Sequence, residues 1–235
     1  MSLYAIADLH LAMDESIEDK AMDMFGGPWV GHADRLREIW LRNITDEDTV
    51  LIPGDISWAL KLEEVIADFK WLASLPGKKI IMKGNHDLWW SSRKKMEQLF
   101  PEVFFLQNNF YDGGNCVIAG SRGWLCPGTS DFDEIFDTKV YRREIIRMEM
   151  SLKAAAAAAD GRPIIAATHF PPMNEKHEES DFTRLFTEYN VTYALYGHLH
   201  GAGGFANGFE GEKNGVKYKL VSFDRLEAAP FLVLK

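Results

Sequence analysis

The chain alternates short, largely apolar runs with longer stretches of helical periodicity, and nearly every apolar run stops at a polar cluster. Leu3 to Ala7, Thr49 to Pro53, Lys79 to Met82, Val103 to Leu106, Cys116 to Ala119, Ile164 to Ala167 and Tyr193 to Tyr196 read as buried strands. Between them, Ala33 to Ile44 carries Leu36, Ile39, Trp40 and Ile44 on one stripe. Leu60 to Leu75 carries Val65, Phe69 and Leu72 and is stopped by Pro76-Gly77. Ser91-Ser92 open a helix that runs through Leu99. A long helix holds Tyr141, Ile145, Met148 and Leu152 and continues through the Ala154 to Ala159 run, with Gly161 and Pro163 closing it. Asp112-Gly113-Gly114 reads as a turn between two strands, and Asn214-Gly215 as a primed hairpin turn before strands at Tyr218 to Phe223 and Phe231 to Leu234. Ala12 to Gly31 and Ser121 to Asp137 have no period, and loops of that length in a compact domain usually cover or bind something. The alternation predicts an α/β fold in one domain spanning residues 1–235, a length that can bury one sizeable core.

The polar clusters change the picture. Asp8 and His10 follow the first strand, Gly54-Asp55 the second, and Lys83-Gly84-Asn85-His86-Asp87 the third; Thr168-His169 and Gly197-His198-Leu199-His200 follow two later ones. Five of the seven histidines fall in this set. Taken singly, each cluster is ordinary turn chemistry. Together they supply neutral imidazole, carboxylate and amide oxygen at the carboxyl ends of strands, where ligands collect in open α/β sheets, and that donor mix suits a metal site.

The ordered motifs D-x-H, G-D, G-N-H-D, a lone H and G-H-x-H resemble those of the calcineurin-like metallophosphoesterase superfamily, and they run from Asp8 to His200. The resemblance implies a four-layer α/β/β/α sandwich of two mixed sheets with flanking helices. It also implies two divalent ions about 3.5–4 Å apart. Asp8, His10, Asp55 and His200 would hold one, and Asp55, Asn85, His169 and His198 the other, with Asp55 bridging. The implied function is a metal-dependent phosphohydrolase that cleaves phosphomonoester or phosphodiester bonds by attack of a metal-bridging hydroxide. His86 matches the family histidine that protonates the leaving group or stabilises the transition state. Asp87 admits two readings, the residue that orients His86 or a turn cap. Mixed oxygen and nitrogen donors suit Mn²⁺, Fe or Zn²⁺, and Mg²⁺ as well.

Departures from the family narrow the reading. The protein serine/threonine phosphatase branch carries D-R-G soon after G-D, whereas Gly54-Asp55 here runs into Ile56-Ser57-Trp58-Ala59. A non-catalytic scaffold of the same fold is the alternative function, and such proteins typically lack a key histidine that this chain keeps. Trp58, Trp89 and Trp90 either wall a substrate pocket or belong to the core. Arg122, at a strand end, is a candidate phosphate grip; Arg142 and Arg143, on the long helix, read as a solvated face.

Charge and cysteine usage bound the partners. Lys+Arg number 26 against 35 Asp+Glu, a net −9, so duplex nucleic acid is not an expected partner; the partner that the family resemblance implies is a small phosphoester. The two cysteines, Cys116 and Cys126, make no disulfide framework. No apolar run approaches a membrane span, and no basic leader precedes Leu3, so a cytoplasmic protein is expected.

Overall fold

Strands buried on both faces must be apolar at every position, and helices that cover them need only one apolar stripe. The computed structural model, which describes residues 1–20 and 22–235, builds the chain on that division of labour. Two compact units emerge: residues Met1–Phe105 with Val221–Lys235, and residues Leu106–Leu220.

The first unit contains β1 (Leu3–Ala5), α1 (His32–Asn43), β2 (Thr49–Ile52), α2 (Ile66–Ala73), β3 (Lys78–Ile81), α3 (Arg93–Leu99) and β4 (Val103–Phe105). The second contains β5 (Phe110–Asp112), β6 (Val117–Gly120), α4 (Asp137–Ala159), β7 (Ile164–Ala167), α5 (Asp181–Glu188), β8 (Val191–Tyr196), α6 (Gly201–Asn207), β9 (Gly211–Lys213) and β10 (Val216–Leu220). The chain then returns to the first unit with β11 (Phe231–Leu234).

Each unit has one mixed sheet. In the first, the order is β11-β1-β2-β3-β4, parallel except for the antiparallel β1–β11 pair. In the second, the order is β5-β6-β7-β8-β10-β9, with a parallel centre and an antiparallel strand at each edge. The α/β class with two mixed sheets and flanking helices is thus the one the sequence predicts. In the first unit, Leu36 and Trp40 of α1, Phe69 and Leu72 of α2 and Met96 of α3 share one buried cluster with Val50, Ile52, Ile81, Val103 and Phe105. In the second, Tyr141, Met148, Leu152 and Ala155 of α4 and Phe182 and Phe186 of α5 pack with Val117, Ala119, Ile164 and Ala166. No helix among the described residues is long and apolar enough to cross a membrane.

Several elements differ from the sequence reading. The helix expected from Leu60 begins only at Ile66, because the Glu64 carboxylate accepts the Leu60 and Lys61 N–H groups and closes a separate turn. Asp112 lies in a strand, and the turn it starts joins β5 to β6 as a hairpin. The Ala12 to Gly31 loop contains three 3₁₀ turns, with Ala21 outside the described residues. Helix α5, absent from the periodicity reading, is started by a capping box in which Ser180 and Thr183 bond each other's backbone N–H. The Asn214-Gly215 turn has the expected form, both residues at positive φ (52° and 79°) between β9 and β10.

Candidate functional site

In the first unit the site residues extend the parallel ladder of β1 and β2 beyond its regular part. Asp8 N–H donates to Gly54 O at 3.0 Å, His10 N–H to Asp55 O at 3.0 Å and Leu11 N–H to Ile56 O at 2.9 Å. This run holds Asp8-Leu9-His10 alongside Asp55-Ile56-Ser57. Donor atoms of Asp8 and His10, and of Asp8 and Asp55, lie within 4.8 Å of one another. His10 Nε2 is 3.9 Å from Asp55 Oδ2. All three residues are buried, and all three have positive φ: 60° at Asp8, 45° at His10 and 52° at Asp55.

The Gly84 to Trp89 loop is locked onto Asp55. A Cβ at Gly84 would lie 2.0 Å from Asp55 Oδ1, so only glycine allows the approach. The Asp55 Oδ1 atom also accepts the His86 N–H at 2.8 Å. Asp87 is fully buried, and its carboxylate accepts five donors. Oδ2 takes the N–H groups of Asp55 (2.9 Å) and Gly84 (2.7 Å). Oδ1 takes those of Ile56 (2.9 Å) and Ser57 (3.3 Å) and the Trp89 indole N–H (3.0 Å). Asp87 therefore ties the loop after β2 to the loop after β3, and it caps its own turn in doing so. Asn85 and His86 stand half-buried beside it.

Aromatic rings surround His10 and His86. Trp58 stacks on His10 with ring centroids 4.7 Å apart and meets His86 edge-on at 4.4 Å. Its indole N–H donates to Met22 Sδ at 3.1 Å, and Trp29 meets His10 at 5.9 Å. Met22 and Trp29 both come from the Ala12 to Gly31 loop. Of the three tryptophans singled out above, Trp58 flanks the imidazoles, whereas Trp89 and Trp90 pack with the Phe69, Phe100 and Phe105 core.

Sequence reasoning missed Asp68, a buried aspartate on α2 that supports this arrangement from below. It accepts Met13 N–H at 2.8 Å and the Ser57 hydroxyl. Burial lifts its carboxyl to about 6, against the two hydrogen bonds, which pull it down. The available signal was an acidic residue set among Val65, Phe69 and Leu72 on an otherwise apolar helix stripe. His32, left over in the sequence reading, is buried with Nε2 2.9 Å from Leu9 O, and burial lowers its pKa.

In the second unit, the ends of β7 and β8 are tied by the Gly197 N–H to His169 O bond at 3.1 Å. The His169 and His198 rings sit 5.1 Å apart, nearly perpendicular, with Phe170 against His198 at 4.3 Å. His169 is fully buried; His198 is half-buried with φ 75°, and His200, also half-buried, immediately precedes α6. The Arg122 carbonyl accepts the His169 and Phe170 N–H groups at 2.9 and 3.1 Å, while its guanidinium lies 4.5 Å from the Trp124 ring centroid. The same unit has a cavity of about 190 Å³ with His198 in its wall.

The donor set of carboxylates, imidazoles and one amide suits borderline divalent cations. A family model described as calcineurin-like phosphoesterase matches residues 1–202, which include all seven donors and His86. The chain belongs to the calcineurin-like phosphoesterase family. It is also similar to the Gene 66 protein of Mycobacterium phage D29, 33% identical over 88 residues, a match that spans 37% of this chain and only 40% of that protein. Among solved structures it is similar to a protein of unknown function from Aquifex aeolicus, with a TM-score of 0.49 and 15% identity over 98% of this chain and 94% of that one. The phosphoesterase-type scaffold of this family member thus comes with Asp and His donors able to take metal.

Proposed function

We propose that the chain is a binuclear metal-dependent phosphohydrolase acting on phosphomonoesters or phosphodiesters, with Asp8, His10, Asp55, Asn85, His169, His198 and His200 as the metal ligands. The observation that carries this reading is where the backbone is strained. Eleven non-glycine residues among those described have positive φ, and four of them are Asp8, His10, Asp55 and His198. Such conformations cost roughly 1–3 kcal/mol each, persist where the surrounding structure over-determines them, and cluster at functional sites. Nine of the eleven are Asp, Asn or His, the types that enter this region most readily, and four of those nine are candidate ligands.

Two divalent ions of the Mn²⁺, Fe, Zn²⁺ or Mg²⁺ kind, when bound, supply an activated water and neutralise the charge of a phosphoryl group. The remaining steps fall to the chain. His86, anchored through its backbone to Asp55 and flanked by Trp58, delivers a proton to the departing ester oxygen through its imidazole. Asp87 acts as a positioning residue, holding Asp55 and the His86 loop in register. Arg122, its side chain spread on Trp124, offers a planar cation to phosphate oxygens. His86, retained here, sets the chain apart from a scaffold of the same fold.

Elemental analysis and turnover test the proposal together. Protein loaded with Mn²⁺ should carry two ions per chain and hydrolyse 4-nitrophenyl phosphate or its bis ester, and chelation should abolish the activity. A single ion at saturation, or two ions with no turnover of either ester, would refute the enzyme reading.

A further inference from the structure

The cavity beside His198 is a preformed pocket, and every residue of it belongs to the second unit. One wall comes from the loop after β6, a second from the segment after β7, and His198, Leu199 and Asn207, from the segment after β8 and from α6, complete the lining. Asn174 Nδ2 donates to Pro127 O at 3.1 Å, the Ser130 N–H donates to the Glu175 carboxylate at 2.8 Å, and the Cys126 thiol approaches Pro171 O at 3.7 Å. A Cβ at Gly128 would come within 2.8 Å of Asn174 Nδ2, so the two loops are in close contact. Three cross-links over five residues of loop leave little freedom to lose when a ligand enters.

The lining is uneven in charge. Leu125, Met173 and Leu199 contribute apolar surface, while Asp131 and Glu175 contribute carboxylates; among the described residues lining the cavity none is lysine or arginine. Ser130 and Asn207 add neutral polar groups. The Cys126 thiol, pushed up to about 12 by burial, stays protonated and acts as filler rather than nucleophile. A volume of about 190 Å³ is room for about six water-sized bodies of ~30 Å³ each, the size of a small alcohol with a few heavy atoms.

We propose that this cavity receives the alcohol portion of the phosphoester, and that the group it selects is a compact amino alcohol whose ammonium faces Asp131 and Glu175. The assignment rests on the phosphohydrolase reading through His198, which is at once a proposed metal ligand and a wall of the cavity. A second phosphate or a nucleotide is disfavoured, because an anion would meet two carboxylates and no cation. A neutral polyol would find hydrogen-bond acceptors but no use for their charge.

Two measurements separate this assignment from the reading beneath it. With Mn²⁺-loaded protein, kcat/KM for O-phosphoethanolamine should exceed that for glycerol 3-phosphate by tenfold or more. In the double variant Asp131→Asn, Glu175→Gln that ratio should fall to near one, while the amide oxygen introduced by Glu175→Gln still accepts the Ser130 N–H. Glycerophosphoethanolamine, run beside the monoester, shows whether the amino alcohol is taken from a free ester or from a lipid-derived diester. Independently of turnover, ethanolamine alone should shift the backbone amide resonances of Ser130 and Asn207 at millimolar concentration in the wild type and leave them unmoved in the double variant. Amide shifts without hydrolysis of any ester would sink the enzyme reading and with it the leaving-group role, leaving the cavity as a binding site for the amino alcohol alone. Hydrolysis with no preference and no shifts would overturn the assignment alone, as would a preference that survives the double substitution.

Discussion

Replacing Asp87 by asparagine probes how the site is held together. The wild-type carboxylate accepts five N–H groups with both oxygens, in full burial. Asparagine keeps one oxygen. Its best placement leaves that oxygen where the Ile56, Ser57 and Trp89 donors converge and turns the amide NH₂ toward the N–H groups of Asp55 and Gly84. Two hydrogen bonds to a charged acceptor are then lost, at roughly 1.5–3 kcal/mol each, so Asp87→Asn should cost about 3–6 kcal/mol. That is a large share of the ~5–15 kcal/mol available to a folded domain. Urea unfolding followed by tryptophan fluorescence reads the loss directly: with a slope near ~3 kcal/mol/M, the midpoint should fall by about 1–2 M. Mn²⁺ affinity should fall as well, because the lost Asp55 N–H bond fixes the backbone that carries the Asp55 carboxylate. A midpoint within about 0.3 M of the wild type, corresponding to less than ~1 kcal/mol, would refute the inference that Asp87 is the tie between the two loops.

Four further substitutions address separate parts of the site. Gly84→Ala places a methyl 2.0 Å from Asp55 Oδ1, so the loop must move; a stability loss of about 1–3 kcal/mol with weakened Mn²⁺ binding by calorimetry is expected, and unchanged binding would show that the loop yields without disturbing Asp55. His198→Ala should lose or weaken one metal, whereas His86→Ala should keep both and lower kcat by about 10²–10⁴-fold, less for an aryl than for an alkyl phosphate; loss of metal from His86→Ala would make it a ligand instead. Asp68→Asn tests a pH dependence. With its folded pKa raised from 3.8 to about 6, Asp68 holds a proton that the unfolded chain has released, so its contribution is full below pH 3.8 and is lost as pH rises through 6. The gap corresponds to about 3 kcal/mol, and the difference between wild-type and variant unfolding free energies should change by that order between pH 4 and 7; parallel curves would show that Asp68 is not the group responsible.

The order of residues along the chain was enough to give the α/β class, the strands that carry the site and the identity of the proposed ligands. Strands covered on both faces have to be apolar throughout, so Leu3 to Ala7 or Ile164 to Ala167 announces itself without any neighbour. Metal donors come from few residue types, and the G-x or x-H pairs at strand ends are local in the chain. Local also were the αL turn at Asn214-Gly215 and the start of α5 at Ser180, although the latter's capping box was not read. What Asp87 and Asp68 do emerged only from packing, because their partners lie far along the chain: Asp55 and Ile56 are 32 and 31 residues from Asp87, and Met13 is 55 from Asp68. Packing also settled that Trp58 flanks two imidazoles while Trp89 joins the core, a choice that periodicity cannot make for neighbouring loop residues. The cavity beside His198 is the extreme case. Two of its walls are segments whose bonds join residues 45 and 47 apart, a third comes from His198, Leu199 and Asn207, and a void has no sequence of its own: it exists only where packed segments fail to fill the space between them.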